Sequence, residues 1–400
     1  MPLSKVSLSK RSSTKSGNIL LIAGILCIAI NLRPALATVG PLVSQIREAT
    51  GLSNSMLGLL TALPLLAFGI VSSLTSLVTR RFGIGYTLLG ALALIALGIT
   101  IRSLDGVVFL FSGTILFGIG IAFGNVLLPS LTKQNFQKNS GVITSLYSAV
   151  MAIGASLAAG LSVPLSKSFG LGWRGTLGIW AIFAIIAFFA WLPQLSKFKK
   201  TVQNGTYGKS MLALGKKSLA WKIALFMGLQ SMTFYIILAW LPEILQSRGF
   251  DANFSGWMLS LSQATGIAGS VIIPLWASKK KNQKDIVLIL FILEIIGILG
   301  LLFSKMDLVI LWVSFIGFVL GGCFGLALLF IVLRSKDTNT TTELSGFAQS
   351  VGYLVAATGP IIFGKIFDLT LTWTYPLFLL LVIATVKLYA GLGAGKEEKL

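Results

Sequence analysis

Arg33 is the residue with the clearest chemical potential, because it lies inside a long apolar run near the amino terminus. A charged side chain inside a bilayer is costly, so an arginine there indicates a function by default. A guanidinium presents a planar fork of N–H donors that matches flat anionic groups. On a continuous helix Ala29, Ala37 and Gly40 share its face, which predicts open space around it. Arg33 is therefore the predicted anchor for an anionic ligand.

A structural role for Arg33 is the alternative. Pro34 removes a helix hydrogen bond and frees a backbone carbonyl, which a buried arginine can bind. An acidic side chain would be an equally good partner, but the other spans predicted for the first half of the chain contain no acid. The ligand-binding interpretation is therefore preferred over internal pairing.

Glu294 is the other charged residue that we expect well inside an apolar segment. An ionisable group at that depth is a candidate for coupling ion or proton movement to transport. A hydrogen bond from a neighbouring serine or backbone group is the alternative explanation. Arg33 and Glu294 are thus the two charges predicted to lie deep in the membrane.

Uncharged polar residues in the middle of apolar segments are candidates for lining a binding pathway. With Arg33 they form the predicted substrate-binding set: Asn31, Asn125, Tyr147, Gln230, Tyr235, Gln263, Gln349 and Tyr353. Each alone is also consistent with an interhelical hydrogen bond, which contributes about 0.6 kcal/mol in a membrane.

Enzyme chemistry is not indicated. The chain contains no histidine, no phosphate-binding G-x-x-x-x-G-K-[ST] motif and no H-E-x-x-H motif. Cys27 and Cys323 stand alone in apolar runs, which predicts packing rather than metal binding. We expect neither an enzyme nor a bound cofactor or metal.

The composition is that of an integral membrane protein. Of the 400 residues 55% are hydrophobic and only 11% are charged, whereas soluble domains carry about 25% charged residues. Apolar runs of about 20 residues, the length that crosses a bilayer, recur along the chain. Twelve spans are predicted, at 18–43, 55–78, 84–102, 107–131, 141–166, 174–193, 218–245, 254–278, 286–304, 308–333, 345–367 and 373–391.

These spans predict an all-α fold of two six-helix bundles. The predicted units are a tail at 1–17, an N-terminal bundle at 18–193, a linker at 194–217, a C-terminal bundle at 218–391 and a tail at 392–400. The first apolar run continues past Asn31 and Arg33 with no cleavage site, so it is interpreted as a span and not as a signal peptide.

The net charge of +20 is concentrated at the ends of the apolar runs, which argues against nucleic acid as a partner. Lysine and arginine are most frequent in the even-numbered connections, as in Arg80-Arg81, Lys199-Lys200 and Lys279-Lys280-Lys281. Cytoplasmic connections are enriched in these residues. The chain is predicted to be a multi-pass protein of the bacterial inner membrane, monomeric and in contact with lipid, with both termini and the linker in the cytoplasm.

The two halves of the chain repeat. Pro41, Gln45 and Arg47 recur 201 residues later as Pro242, Gln246 and Arg248. A parallel repeat of six helices is typical of transporters that hold substrate at mid-membrane between the halves. At the same shift the partner of Arg33 is Phe234, so the repeat itself does not require a cation at this position.

Glycine pairs recur as well, at Gly120/Gly124 and Gly321/Gly325. Small residues four apart allow neighbouring helix backbones to approach closely. We predict that these pairs are packing contacts, part of which could also slide when the halves move.

Several segments resemble the major facilitator superfamily, and specifically its cyanate and 2-nitroimidazole porter family. They are Asn31-Leu-Arg-Pro-Ala35, Val39-Gly-Pro-Leu42, Leu60-Thr-Ala-Leu-Pro-Leu-Leu66, Arg81-Phe-Gly83, Gly118-x-Gly120 and Gly359-Pro360. The resemblance implies alternating access by rocking of two halves and a small anionic or flat polar substrate. The chain departs from the superfamily pattern at Arg80, where an acid is usual, and at Val163-Pro164, where Gly-Pro is usual in proton–drug antiporters.

The preferred hypothesis is a secondary active transporter of a small anionic or flat polar organic solute. The alternative within transporters is an exporter of drugs or metabolites in which Arg33 has a structural role. A receptor or scaffold is disfavoured, because the longest predicted connection, 194–217, is shorter than the ~50 residues of a small domain.

Overall fold

The computed structural model describes residues 15–136, 140–197, 214–303, 308–336 and 338–398, and the described chain is helical. In the first half the helices are α1 Lys15–Ala29, α2 Pro34–Ala37, α3 Val43–Thr50, α4 Asn54–Arg102, α5 Val107–Asn135, α6 Ser140–Val163, α7 Gly172–Gly178 and α8 Trp180–Trp191. In the second half they are α9 Ser218–Gln246, α10 Ala252–Ala277, α11 Lys284–Phe303, α12 Val309–Arg334, α13 Thr338–Thr370 and α14 Thr374–Ala394.

Twelve segments of the described chain are long and apolar enough to cross a membrane, which confirms the predicted all-α class and number of spans. The helix bounds agree with the predicted spans to within a few residues at most ends. The largest differences are at the first span, which continues to Thr50 instead of residue 43, and at α13, which begins at Thr338 instead of residue 345. Most of the predicted 194–217 linker and most of the 1–17 tail lie outside the described residues.

The first span is broken at mid-membrane, and the expectation of a continuous helix over 18–43 is wrong. Helix α1 ends at Ala29, and Arg33 has φ −124° and ψ −37° before α2 begins at Pro34. Pro34 has no N–H to continue the helix ladder, and the amides of Asn31 and Leu32 donate to nearer carbonyls, at Ile28 and Ala29. The break continues through a short 3₁₀ turn, Gly40–Leu42.

The second and third spans form one long element, α4, with a sharp joint at Gly83. Gly83 has φ 81° and ψ 161°, a backbone conformation that residues with a Cβ rarely adopt. The predicted connection between these spans, 79–83, therefore contains the kink that separates two helices within α4. Glycine at this joint allows the chain to reverse across the membrane without an intervening loop.

The predicted glycine pairs lie at helix contacts within each half. Gly120 packs against the Ala91 carbonyl of α4, and Gly124 packs against Leu32. In the second half Gly321 packs against the backbone of Gly266, and Gly325 packs against Pro274. A Cβ at Gly321 would collide with the carbonyl of Gly266, so the predicted packing role is confirmed.

The halves meet along two helix pairs and at the break in the first span. Helix α4 packs against α13, and α6 packs against α10, where the Ser156 and Ser260 hydroxyls are 2.8 Å apart. Gly40 lies directly on the Leu238 carbonyl of α9, leaving no space for a side chain. The broken segment therefore contacts the opposite half through its backbone, and this contact positions the residues around Arg33.

Candidate functional site

Arg33 faces its own repeat partner across the interface between the halves. The Cζ atom of Arg33 is 5.3 Å from the centroid of the Phe234 ring on α9. A cation over an aromatic face is attracted by the ring quadrupole, by about 0.5–2 kcal/mol depending on solvent exclusion. Equivalent residues of a twofold repeat can touch only near the axis that relates them, so Arg33 lies at the centre of the molecule.

Two tyrosines of the predicted set join Arg33. The phenols of Tyr235 and Tyr353 lie near enough to Arg33 to interact with its charge, and the Tyr235 ring packs edge-on against Phe234, with ring centroids 5.1 Å apart. Tyr353 of α13 packs edge-on against Phe68 of α4, with ring centroids 5.5 Å apart. We call these five residues the Arg33 cluster; Arg33 and Phe68 come from the first half, and Phe234, Tyr235 and Tyr353 come from the second.

Arg33 retains donor capacity in this cluster. Its side chain is half-buried, whereas Tyr235 and Tyr353 are 3% and 8% exposed. None of the ion pairs among the described residues involves Arg33. A guanidinium has five N–H donors, and the contact with Phe234 engages the face of its plane, not these donors. The remaining edge can bind a carboxylate, nitro or similar planar group.

The structural role considered for Arg33 is taken by Arg102, at the end of α4. The Arg102 guanidinium donates to the Ala35 carbonyl at 2.8 Å and to the Leu177 carbonyl at 3.5 Å. It also lies over the Phe117 ring, 4.7 Å from its centroid, and Arg102 is 1% exposed. Carbonyls in the last turn of a helix lack partners within the helix, and the four-residue α2 leaves Ala35 in that position. The prediction placed Arg102 at the end of the 84–102 span and missed this contact.

The small residues that were predicted to clear space around Arg33 do not do so. Ala29 and Ala37 are fully packed, with 0% and 1% exposure, and Gly40 contacts α9. The prediction assumed one continuous helix, and the break at Arg33 rotates these residues away from its face. The space beside Arg33 is instead bounded by the aromatic rings of the second half.

The remaining residues of the predicted set are distributed differently. Asn31 donates its amide to the Cys27 carbonyl at 2.7 Å and to the Phe183 carbonyl of α8 at 3.2 Å, so it joins helices inside the first half. Gln230 donates to the Ser231 hydroxyl at 2.7 Å, and Gln349 donates to the Ser345 hydroxyl at 2.8 Å. Tyr147 and Gln263 are buried and Asn125 is half-buried.

Glu294 lies in a buried ion pair that sequence reasoning missed. The Nζ atom of Lys387 on α14 donates to Glu294 Oε1 at 2.6 Å, and both side chains are at most 4% exposed. The expectation that Arg33 and Glu294 are the two deep charges is therefore wrong. Pairing makes both charges tolerable in the bilayer. The surroundings, including Phe226 and Cys323, belong to the second half alone.

The described residues contain no group of three or more histidine, cysteine or acidic side chains that could hold a metal. The side chains of the Arg33 cluster offer a positive charge, hydrogen-bonding groups and aromatic rings. A charged residue enclosed between two helical bundles is an arrangement found in secondary transporters.

Sequence comparison agrees with this architecture. The sequence matches the Major Facilitator Superfamily over residues 19–360, and the chain belongs to that superfamily. Two solved structures have the same fold at 15% identity. The D-xylose-proton symporter has a TM-score of 0.74 over 97% of this chain and 100% of its own, and the nucleoside transporter NupG has 0.77 over 94% and 100%.

Three relatives are similar along most of the chain, which confirms the resemblance to cyanate and 2-nitroimidazole porters. The uncharacterized transporter YycB of Bacillus subtilis is 42% identical over 379 residues, 94% of each chain. The 2-nitroimidazole transporter of Escherichia coli is 39% identical over 97% of this chain and 99% of its own. The cyanate transport protein CynX of Escherichia coli is 29% identical over 84% and 87%.

Proposed function

We propose that this transporter binds a small, flat, anionic or strongly polar organic solute at the Arg33 cluster and moves it by alternating access. The observation that carries the proposal is the position of Arg33. Its guanidinium lies between the halves over the ring of its repeat partner Phe234, close to Tyr235, and forms none of the ion pairs among the described residues. A ligand bound there contacts both halves at once.

The chemistry of the cluster favours a planar ligand. The guanidinium edge can form two parallel hydrogen bonds with a carboxylate or nitro group, and such charge-assisted bonds are about twice as strong as neutral ones. The rings of Phe68, Phe234, Tyr235 and Tyr353 offer apolar faces and edges for a flat body. Exclusion of water by the bundle strengthens each of these electrostatic contacts.

The names of the relatives are consistent with this substrate class. One relative is a 2-nitroimidazole transporter and another is a cyanate transport protein. A nitroimidazole is a planar ring with an electron-rich nitro group, and cyanate is a small linear anion. Both present to a guanidinium the kind of group that its donor edge binds.

Binding to purified protein tests this proposal. Calorimetry and thermal stabilisation would be measured with 2-nitroimidazole, cyanate and benzoate, with glucose as an uncharged, non-planar comparison. A ligand at about 100 times its Kd stabilises the protein by about 2.7 kcal/mol. We expect stabilisation by at least one planar solute, and we expect a much smaller stabilisation of Arg33→Gln, whose Kd should be about one to two decades higher. Stabilisation by glucose alone, or an undiminished response in Arg33→Gln, would contradict the proposed site.

We also propose the orientation that the connection charges predict, with both termini and the 194–217 linker in the cytoplasm. In that orientation the chain reversal at Gly83 lies on the cytoplasmic side. The helix ends at Thr50, Asn54, Gln246 and Thr370 lie on the opposite side.

A further inference from the structure

Four polar residues join the halves at one end of the bundle, away from the Arg33 cluster. Arg47 of α3 bridges to Glu243 of α9, with Nη2 and Oε1 2.5 Å apart. Asp368, near the end of α13, accepts hydrogen bonds from Asn54 at the start of α4. Each contact has one partner in the first half and one in the second, so both must break for the halves to separate at this end.

Asn54 connects the two contacts into one network. Its side-chain oxygen accepts from Arg47 Nη1 at 2.9 Å, and its side-chain nitrogen donates to Asp368 Oδ1 at 2.8 Å. In this orientation of the Asn54 amide, its oxygen faces the Arg47 guanidinium and its nitrogen faces the Asp368 carboxylate. Members of a connected network support one another, so loss of one contact weakens the other.

Asp368 also caps a helix that belongs to the other half. It accepts the backbone amides of Asn54 at 3.0 Å and Ser55 at 2.8 Å, which are among the unpaired N–H groups of the first turn of α4. Ser53 caps the same turn locally by accepting from the Met56 amide at 3.3 Å. The positive end of the α4 dipole adds to the attraction for the carboxylate. Separation of the halves would leave the amides of Asn54 and Ser55 to be satisfied by water.

The surroundings of the network distinguish it from ordinary surface charge. Glu243 is 7% exposed, and its second oxygen, Oε2, has no protein partner. Beside it the Ser44 hydroxyl donates to Gln246 Oε1 at 3.2 Å, a further bond between the halves. Gly58 and Gly364 allow α4 and α13 to approach within backbone contact here. The Arg47 side chain is 33% exposed and Asp368 is half-buried, so these contacts are partly shielded from water and stronger than fully exposed ion pairs.

We propose that Arg47, Asn54, Glu243 and Asp368 form a latch that keeps the transport pathway closed at this end, and that its release is a required step of transport. The inference rests on the proposed alternating access but not on the identity of the substrate. In the predicted orientation the latch closes the outer side. Polar contacts suit this role because water can replace them when this end opens. A purely apolar contact would instead expose hydrophobic surface to water.

Distances between spin labels test the latch. Cysteines would replace the exposed Glu48 and Leu369, one in each half, in a chain whose Cys27 and Cys323 are changed to serine. Pulsed electron resonance then reports short distances when this end is closed and longer ones when it is open. We expect Asp368→Ala, and separately Arg47→Gln, to raise the open-to-closed ratio about tenfold, the effect of losing one charge-assisted bond.

Arg174→Gln is the matched control, because Arg174 bridges to Asp105 at 2.5 Å near the same end but within the first half. It should leave the distances unchanged. The double variant Arg47→Glu with Glu243→Arg, in which the two charges are exchanged, should return the open-to-closed ratio towards the wild-type value. If the wild type populates both distances but the latch variants do not shift them, the latch is wrong while alternating access stands. A single unchanging distance in the wild type, with and without 2-nitroimidazole, would reject both.

Discussion

The guanidinium of Arg102 donates to the carbonyl of Ala35 at 2.8 Å, and this contact separates two arginine roles that the sequence leaves mixed. Arg102 stabilises the broken first span from within the first half, where its buried side chain is not accessible to a ligand. Arg33, two residues before Ala35, lies on the other side of the break against the second half. One arginine holds the backbone, and the other remains able to bind a ligand.

The two roles predict opposite effects of matched substitutions. Arg102→Gln leaves the Ala35 carbonyl without its charged donor and should lower the free energy of unfolding by about 1–3 kcal/mol. Arg33→Gln should leave stability close to wild type, because its guanidinium is half-buried and has no carbonyl partner among the contacts described. Thermal unfolding of both detergent-purified variants checks this. A lower melting temperature for Arg33→Gln than for Arg102→Gln would reverse the assignment.

Substitution of Arg33 should reduce affinity in two steps. Arg33→Lys keeps the charge but loses the planar donor edge, so affinity should fall. Arg33→Gln loses the charge as well and should fall further, by about one to two decades in Kd. Calorimetric titration with the planar solute that stabilises the wild type gives both values. Equal affinity in wild type and Arg33→Gln would exclude the anchor role.

The two tyrosines of the Arg33 cluster provide a matched pair. Tyr235→Phe keeps the ring against Phe234 but removes the hydroxyl beside Arg33, and it should weaken ligand binding roughly fivefold. Tyr353→Phe keeps the edge-on contact with Phe68 and should have a smaller effect. Titration of both variants measures the difference. A larger loss in Tyr353→Phe would show that Tyr353, and not Tyr235, provides the important hydroxyl.

The buried pair of Glu294 and Lys387 should behave as a unit. Lys387→Met alone leaves a buried carboxylate without its partner and should destabilise the protein by about 3–5 kcal/mol. The double change Glu294→Leu with Lys387→Met removes both charges and should restore most of that loss. Thermal unfolding of the single and double variants tests the pairing, and equal destabilisation by both would contradict it.

The same double variant tests the predicted coupling role of Glu294. We expect uptake driven by an imposed pH gradient to persist in proteoliposomes that contain it, because Lys387 occupies the carboxylate within the second half. Loss of gradient-driven uptake together with retained ligand binding would establish Glu294 as a coupling residue.

Labelling of single cysteines checks the predicted orientation. In a cysteine-free chain, a cysteine in the 194–217 linker should be shielded from membrane-impermeant thiol reagents in intact cells. A cysteine at Asp105, whose carboxylate is 92% exposed, should react. The reason is the concentration of lysine and arginine in the even-numbered connections. Reaction of the linker cysteine from outside would invert the orientation and place the latch on the cytoplasmic side.

The large features of the fold were predictable because they depend on composition and repetition. Apolar runs determine the spans, and the repeat of Pro41 and Arg47 at Pro242 and Arg248 indicates two related bundles. The break in the first span was only partly predictable. Pro34 indicates a bend, but the second interruption at Gly40–Leu42 depends on close contact with α9, which is a tertiary effect.

The missed residues have a common physical reason. A sequence does not show in which direction the side chains of Arg102 and Lys387 point. Arg102 ends an apolar segment and turns back into the bundle, and Lys387 is paired with Glu294, 93 residues away. Of the latch residues, Arg47, Asn54 and Asp368 fall in predicted connections and Glu243 falls at the end of the predicted 218–245 span, so their contacts were missed for the same reason. Hydropathy reports how apolar a segment is, whereas the partner of a charge is set by how the segments pack.

The contact between Arg33 and Phe234 has a consequence for how such a site can arise. A residue on a twofold axis meets its own copy, so a dimer of two identical halves would place either two arginines or two phenylalanines together. Two guanidiniums facing each other at mid-membrane repel, and two phenyl rings carry no charge for an anion. A single cation opposite an aromatic face is available only when both halves belong to one chain and can differ at this position. Fusion of the halves is therefore what permits a charged centre in a pseudosymmetric carrier.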